Sequence, residues 1–154
     1  MDIYQRMQEL GIVLPALPAP GGVYAPVRDF GDTLAYVSGC GPQEGTANPY
    51  VGKLGAEFGL EQGQAAARNC MLNILAVLHH NLGDLGKIKR FVKILAFVAG
   101  TAEFYQQPQV VNAGSELIIQ LFGDDIGRAA RSAIGVNALP GNIAVEIEAL
   151  IELR

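Results

Sequence analysis

The chain has 154 residues, 50% of them hydrophobic and 17% charged, with 11 Lys and Arg against 15 Asp and Glu and a formal net charge of −4. That length fits one domain able to bury about 68–70% of its unfolded surface, and the composition excludes a disordered chain. The acidic balance speaks against a nucleic-acid partner, since the densest basic cluster is only Lys87, Lys89, Arg90 and Lys93.

Residues 1–22 read as an N-terminal helix and a proline-rich connector, and residues 23–154 as a single domain. Asp2 caps a helix from Ile3 to Leu10, which Gly11 ends. Leu14 to Gly22 holds three prolines and two glycines and is extended. Two short strands follow, Val23 to Asp29 and Thr33 to Ser38, joined by a hairpin at Gly31-Asp32. Gly39 to Gly55 is an irregular loop. From Leu60 to Leu82 the apolar residues Ala67, Cys70, Met71, Ile74, Leu75, Leu78 and Leu82 recur at helical spacing, and Gly83 supplies the stop. Ile88 to Ala99 is a strand whose second half is apolar throughout, as expected when both faces are buried. A second helix runs from about Pro108 to Phe122 and ends at Gly123. Ala129 to Val136 and Ile143 to Leu153 are the last strands.

The order β-β-α-β-α-β-β gives a two-layer α+β domain, one sheet with two helices on one face. The uncovered face, together with a mean hydropathy of +0.25 for the whole chain, points to self-association. No apolar run reaches the ~18–20 residues of a membrane span. The N-terminus has neither the basic nor the apolar segment of a signal peptide. Two cysteines make no disulfide framework. A cytoplasmic setting is expected.

Few residues carry chemistry. His79 and His80 are adjacent on a helix, point about 100° apart and cannot chelate one ion, so no metal is expected. Cys70 lies on the apolar helix stripe and reads as a small hydrophobe. Cys40 follows a strand end in the turn Ser38-Gly39-Cys40-Gly41-Pro42, placed to line a cleft. No phosphate-binding glycine loop is present. If the last two strands form a hairpin symmetric about Leu139, Arg131 faces Glu146. An arginine among small residues opposite a carboxylate leaves room for a small anion, with the glutamate able to orient or deprotonate water. The same pair also reads as an ordinary cross-strand ion pair worth ~0.2–1 kcal/mol.

These residues carry a family resemblance as well. From Gly22 onward the chain resembles the RidA/YjgF proteins, also known for a reported endoribonuclease activity. The match runs through Gly22-Val23-Tyr24, Tyr36-Val37-Ser38-Gly39, the helix segment Gln64 to Leu75, Phe91-Val92-Lys93 and Val111-Asn112-Ala113. It ends in Ala130-Arg131-Ser132, Leu139-Pro140 and Val145-Glu146-Ile147-Glu148. The resemblance implies a chorismate-mutase-like α+β fold, a homotrimer with clefts between subunits, and no cofactor. It implies hydrolysis of reactive 2-imino or 2-aminoenoic acids, such as 2-aminoacrylate, to 2-keto acids and ammonia. Arg131 then holds the substrate carboxylate and Glu146 positions water, while Tyr24, Ser38, Cys40, Asn112 and Ala133 border the substrate. Cys40 stands where many members have Gln, and Ala133 where many have Cys. Thr101 to Gln109 is longer, and the N-terminal helix and connector are additions, as in a divergent subgroup. A non-catalytic carboxylate-binding trimer stays open as an alternative, with an endoribonuclease disfavoured by charge.

Overall fold

The computed structural model describes residues 2–154. Asp2 caps α1 (Ile3–Glu9), its carboxylate accepting the backbone N–H of Tyr4. Then come β1 (Val27–Phe30), β2 (Leu34–Cys40), α2 (Leu60–Leu82), β3 (Ile88–Ala99), α3 (Gln107–Phe122), α4 (Asp124–Gly127), β4 (Ala130–Val136) and β5 (Val145–Leu153). The α2 helix opens with the Gly59 N–H donating to Gln62 Oε1 and closes on Gly83 in the left-handed region. The α4 turn, with Arg128 paired to Asp124, was not foreseen; four residues give no periodicity to read.

The five strands form one mixed sheet in the order β1-β2-β5-β3-β4. All pairs are antiparallel except β3 with β4, which α3 and α4 connect as a crossover. The expected hairpin of the last two strands is therefore corrected: β3 lies between them. The 137–144 connection passes the end of β3, where the Ala99 N–H donates to the Ala144 carbonyl. A tight hairpin needs only about two to five linking residues, so a longer connection is free to step over a strand. β1 also begins later than expected, at Val27, because Pro26 cannot donate to a ladder.

Burial alternates strictly along β5: Val145, Ile147, Ala149 and Ile151 face the helices, while Glu146, Glu148 and Leu150 face away. Register extends this division across the sheet. Ile94, Ala96 and Val98 of β3 pair with the inward residues of β5 and are buried. Against them pack Cys70, Met71, Ile74 and Leu78 of α2 and Val111, Leu117, Ile118 and Leu121 of α3. Ile3, Met7 and Ile12 from the N-terminal segment join the same core. The opposite face carries Leu95, Phe97, Leu150 and Tyr36 with Lys93, Glu146 and Glu148, and no element among the described residues covers it. Tyr36 and Ile134 keep 43% and 45% of their surface exposed there.

Candidate functional site

The sequence-predicted residues fall into two groups that the sheet separates. Arg131 pairs with the inward-facing Ile94 on one side of β3, and Glu146 pairs with Phe97 on the other. Positions 94 and 97 differ by an odd number, so the two side chains leave opposite faces of the sheet. The expected contact of Arg131 with Glu146 within one chain is thus replaced by two half-sites.

The first half-site lies between the edge strand β4 and α3. The Arg131 guanidinium donates to Asn112 Oδ1 at 2.8 Å, Ser115 Oγ at 3.2 Å and the Pro108 carbonyl at 3.5 Å. Asn112 and Ser115 are one helical turn apart on α3, so both reach the same guanidinium. None of these acceptors is a carboxylate, and the N–H groups of the guanidinium outnumber the three bonds. A cleft of about 480 Å³ opens beside it, lined also by Glu116, Ile119 and Arg128. Ala133, two residues on, shares the Arg131 face and is half-buried. Ser115 was missed; its only sequence signal is the three-residue spacing from Asn112.

The second half-site is built where β2 leaves the sheet. Between the pairs Val37–Ala149 and Cys40–Ile147 the register shifts, because β2 carries an extra residue there. The bulge turns Cys40 inward, where it is 8% exposed. It also brings Gly39 under the Glu146 side chain, so closely that any Cβ at 39 overlaps the carboxylate. Glycine leaves the room that this position of the carboxylate needs. Ser38 is fixed by its Oγ donating to the Ala25 carbonyl at 2.7 Å. The Tyr24 hydroxyl accepts the Gly21 N–H at 2.9 Å. Together Tyr24, Ser38, Gly39, Gln43, Ile143 and Glu146 line a cleft of about 370 Å³.

Burial is the main cause that pushes the Glu146 carboxyl above its ordinary value, with the Glu148 charge adding to it. Glu148 is itself tied down, accepting the Tyr36 O–H at 3.0 Å. Burial, with the Glu146 charge second, drives the Cys40 thiol up to about 12, so it stays protonated and is no nucleophile. Asn73 was missed as well. It is 1% exposed, and its Nδ2 donates to the carbonyls of Gly41 and Gln43, both at 2.9 Å, pinning the loop that walls this cleft. Its place three residues after Cys70, beside the apolar stripe, was the available signal. His79 is bonded through Nδ1 to the Tyr4 hydroxyl at 3.0 Å. Among the described residues no three His, Cys, Asp or Glu side chains gather as a metal set, and no helix is long and apolar enough to cross a membrane.

A mixed five-stranded sheet with helices on one face defines a chorismate-mutase-like α+β domain. The chain belongs to the family described as "YjgF/chorismate_mutase-like, putative endoribonuclease", whose profile matches residues 4–153. It is 43% identical over 149 residues to Protein TCP17 of Trypanosoma cruzi, covering 97% of this chain and 92% of that one. It is also similar to Atu1372 of Agrobacterium tumefaciens, a crystal structure with unknown function, at 40% identity and a TM-score of 0.89 over 99% of this chain and 92% of that one. The YjgF gene product of E. coli is 26% identical, with a TM-score of 0.60 over 92% and 98% of the two chains. The looser superposition on YjgF fits a divergent subgroup, as the Cys40 and Ala133 departures suggested.

Proposed function

We propose that the protein hydrolyses small 2-imino or 2-aminoenoic acids to 2-keto acids and ammonia, in clefts that join the Arg131 half-site of one copy to the Glu146 half-site of another. The observation that carries this reading is the separation itself. A carboxylate anchor held by three acceptors and a half-buried carboxylate lining a cleft of about 370 Å³ lie on opposite faces of one sheet. Two unlike patches that complete each other between copies make a head-to-tail contact, which closes into a ring when the rotation allows. A homotrimer is the ring this reading adopts.

The chemistry needs no cofactor, because a 2-imino acid is already electrophilic at C2. Arg131, held by Asn112, Ser115 and Pro108, takes the substrate carboxylate with its remaining N–H groups. Glu146 accepts a proton from a water molecule as the water oxygen bonds to C2 and the C=N π electrons move to nitrogen. Glu146 returns that proton to the nitrogen, giving the carbinolamine, which collapses as its hydroxyl proton passes by way of Glu146 to the amino group: the C2=O bond forms, the C2–N bond breaks, and ammonia leaves the 2-keto acid. A 2-aminoenoic acid enters the same route after its C3 takes a proton. The elevated proton affinity of Glu146 suits a group that must both take and return a proton. Fixing the carboxylate and the water in one cleft supplies the rest as orientation.

The test is to generate 2-aminoacrylate in situ with a serine dehydratase and follow keto-acid formation. Wild-type protein accelerates it, and Arg131→Ala abolishes the acceleration while keeping its melting transition. Full turnover in Arg131→Ala overturns the assignment. One observation favours a second reading, binding without turnover: the Arg131 half-site is assembled entirely from α3 and β4 and needs no Glu146. That reading expects 2-keto acids to raise the melting temperature by mass action while no imine is turned over.

A further inference from the structure

Beside the Glu146 cleft the molecule has a second, much smaller recess. It is lined by Pro18, Ala19, Pro20, Pro26, Cys40 and Val77, and it shares Ala19, Tyr24, Ser38, Gly39 and Gln43 with the larger cleft. Its roof is the proline-rich connector. The connector is latched down where the Gly21 N–H donates to the Tyr24 hydroxyl. Its rigidity comes from the prolines, whose fixed φ leaves little freedom to swing away.

We infer that the Pro18–Gly21 connector and Cys40 form a size filter for the apolar substituent on C2, restricting the substrate to imino acids with side chains of about one or two carbons. This rests on the deaminase reading and adds to it the substrate class. No charged side chain lines the recess, so it suits neither the substrate carboxylate nor an ammonium group. The carboxylate has its own anchor in Arg131, and water is served by Glu146, which leaves the C2 side chain to enter the recess. The recess measures about 30 Å³. A cavity needs roughly 10–15 Å³ of such space for a single water, so about two non-hydrogen atoms fit. Cys40 fixes the depth, because it is buried and its neighbours are packed. Ala19 fixes the height, and it is exposed on its other side, so a larger residue there disturbs no core.

The experiment uses the full chain and a graded substrate series. An amino-acid oxidase converts alanine, 2-aminobutyrate, norvaline, leucine and phenylalanine to their 2-imino acids, and the acceleration of hydrolysis gives relative kcat/KM. Wild-type protein handles the alanine and 2-aminobutyrate imines and falls by about tenfold or more at norvaline and beyond, the range one or two surplus methylenes command in a closed pocket. Ala19→Val shifts the cut-off one carbon shorter, and Cys40→Ala shifts it one carbon longer. Because Cys40→Ala removes a buried atom, Ala19→Val serves as the variant that leaves the core intact. Identical substrate profiles in wild type and both variants, with turnover preserved, overturn the filter and leave the deaminase reading standing. If no imine is turned over, the deaminase reading fails, and the melting shift produced by the matching 2-keto acids decides the filter. A shift that drops beyond the four-carbon acid and moves with Ala19→Val supports it, and a shift indifferent to chain length overturns it.

Discussion

Glu146 is the residue at which stability and chemistry pull apart. Its carboxyl is raised by burial first and by Glu148 second, so the folded state favours the protonated form. Folding therefore gains from this group at acid pH, below its unfolded value near 4.3, and loses that gain as pH rises through the folded value. Glu146→Gln removes a charge the fold resists. Its melting temperature should exceed wild type at pH 7–8, and the difference should vanish as the pH is lowered to about 4. The same variant should lose keto-acid formation. In wild type the acid limb of kcat/KM should fall at a pH above the ordinary carboxylate range, because the base must be ionised to work. A limb centred near 4 would show that burial does not tune this group. Gly39 sets where the carboxylate lies: Gly39→Ala forces it aside, so activity should drop by more than tenfold while the acid limb moves, a readout that loss of fold alone does not give.

At the scale of elements, the α2–α3 contact rests on small residues. A Cβ at Gly114 would stand 3.1 Å from the Ala67 backbone carbonyl, and that carbonyl belongs to a helix that cannot yield as a side chain does. Gly114→Val should cost about 1–3 kcal/mol or more by overpacking, measured as a lower urea midpoint with unchanged m. Asn73→Ala strips the carbonyls of Gly41 and Gln43 of their donor. It should cost about 1–3 kcal/mol and raise KM more than it lowers kcat, since the loop it pins walls the cleft. The helices were legible in the sequence because a 3.6-residue stripe is a local signal, and α2 matches the Leu60 to Leu82 reading at both ends. Strand existence was legible for the same reason. The pairing of β4 with β3 rather than β5 was not, because both partners offer apolar faces of the same period and only the crossover through α3 decides between them. That single choice separated Arg131 from Glu146. Arg131 and Glu146 were singled out by an assumed hairpin and again by family motifs, and Tyr24 and Ser38 by family motifs, whereas Ser115 and Asn73 act through hydrogen bonds that only the packed helices bring into range.

The molecule as a whole carries two incomplete clefts and one uncovered sheet face. If the clefts complete each other between copies, mixing two inactive variants must revive activity. Subunits of Arg131→Ala and Glu146→Gln, unfolded together and refolded in equal amounts, should recover about a quarter of wild-type turnover, since one interface in four then pairs an intact arginine with an intact glutamate. Recovery near zero, from a preparation whose scattering mass is that of a trimer, would place both residues of a working site in one chain and overturn the shared cleft.

The strand order has a consequence for how the chain is made. β5 is the last of the five strands to be synthesised, yet it lies between β2 and β3 and pairs with both. Until residues 145–153 emerge, the β1–β2 hairpin and the β3–α3–β4 crossover have no common ladder, and the apolar rows of β2 and β3 lack the strand that joins them. A nascent chain in this fold therefore cannot settle strand by strand; it holds two separate pieces that lock only when the central strand threads in. Chaperone contact should accordingly be longest just before β5 appears, and a frameshift late in the message should be as disruptive as one in the middle.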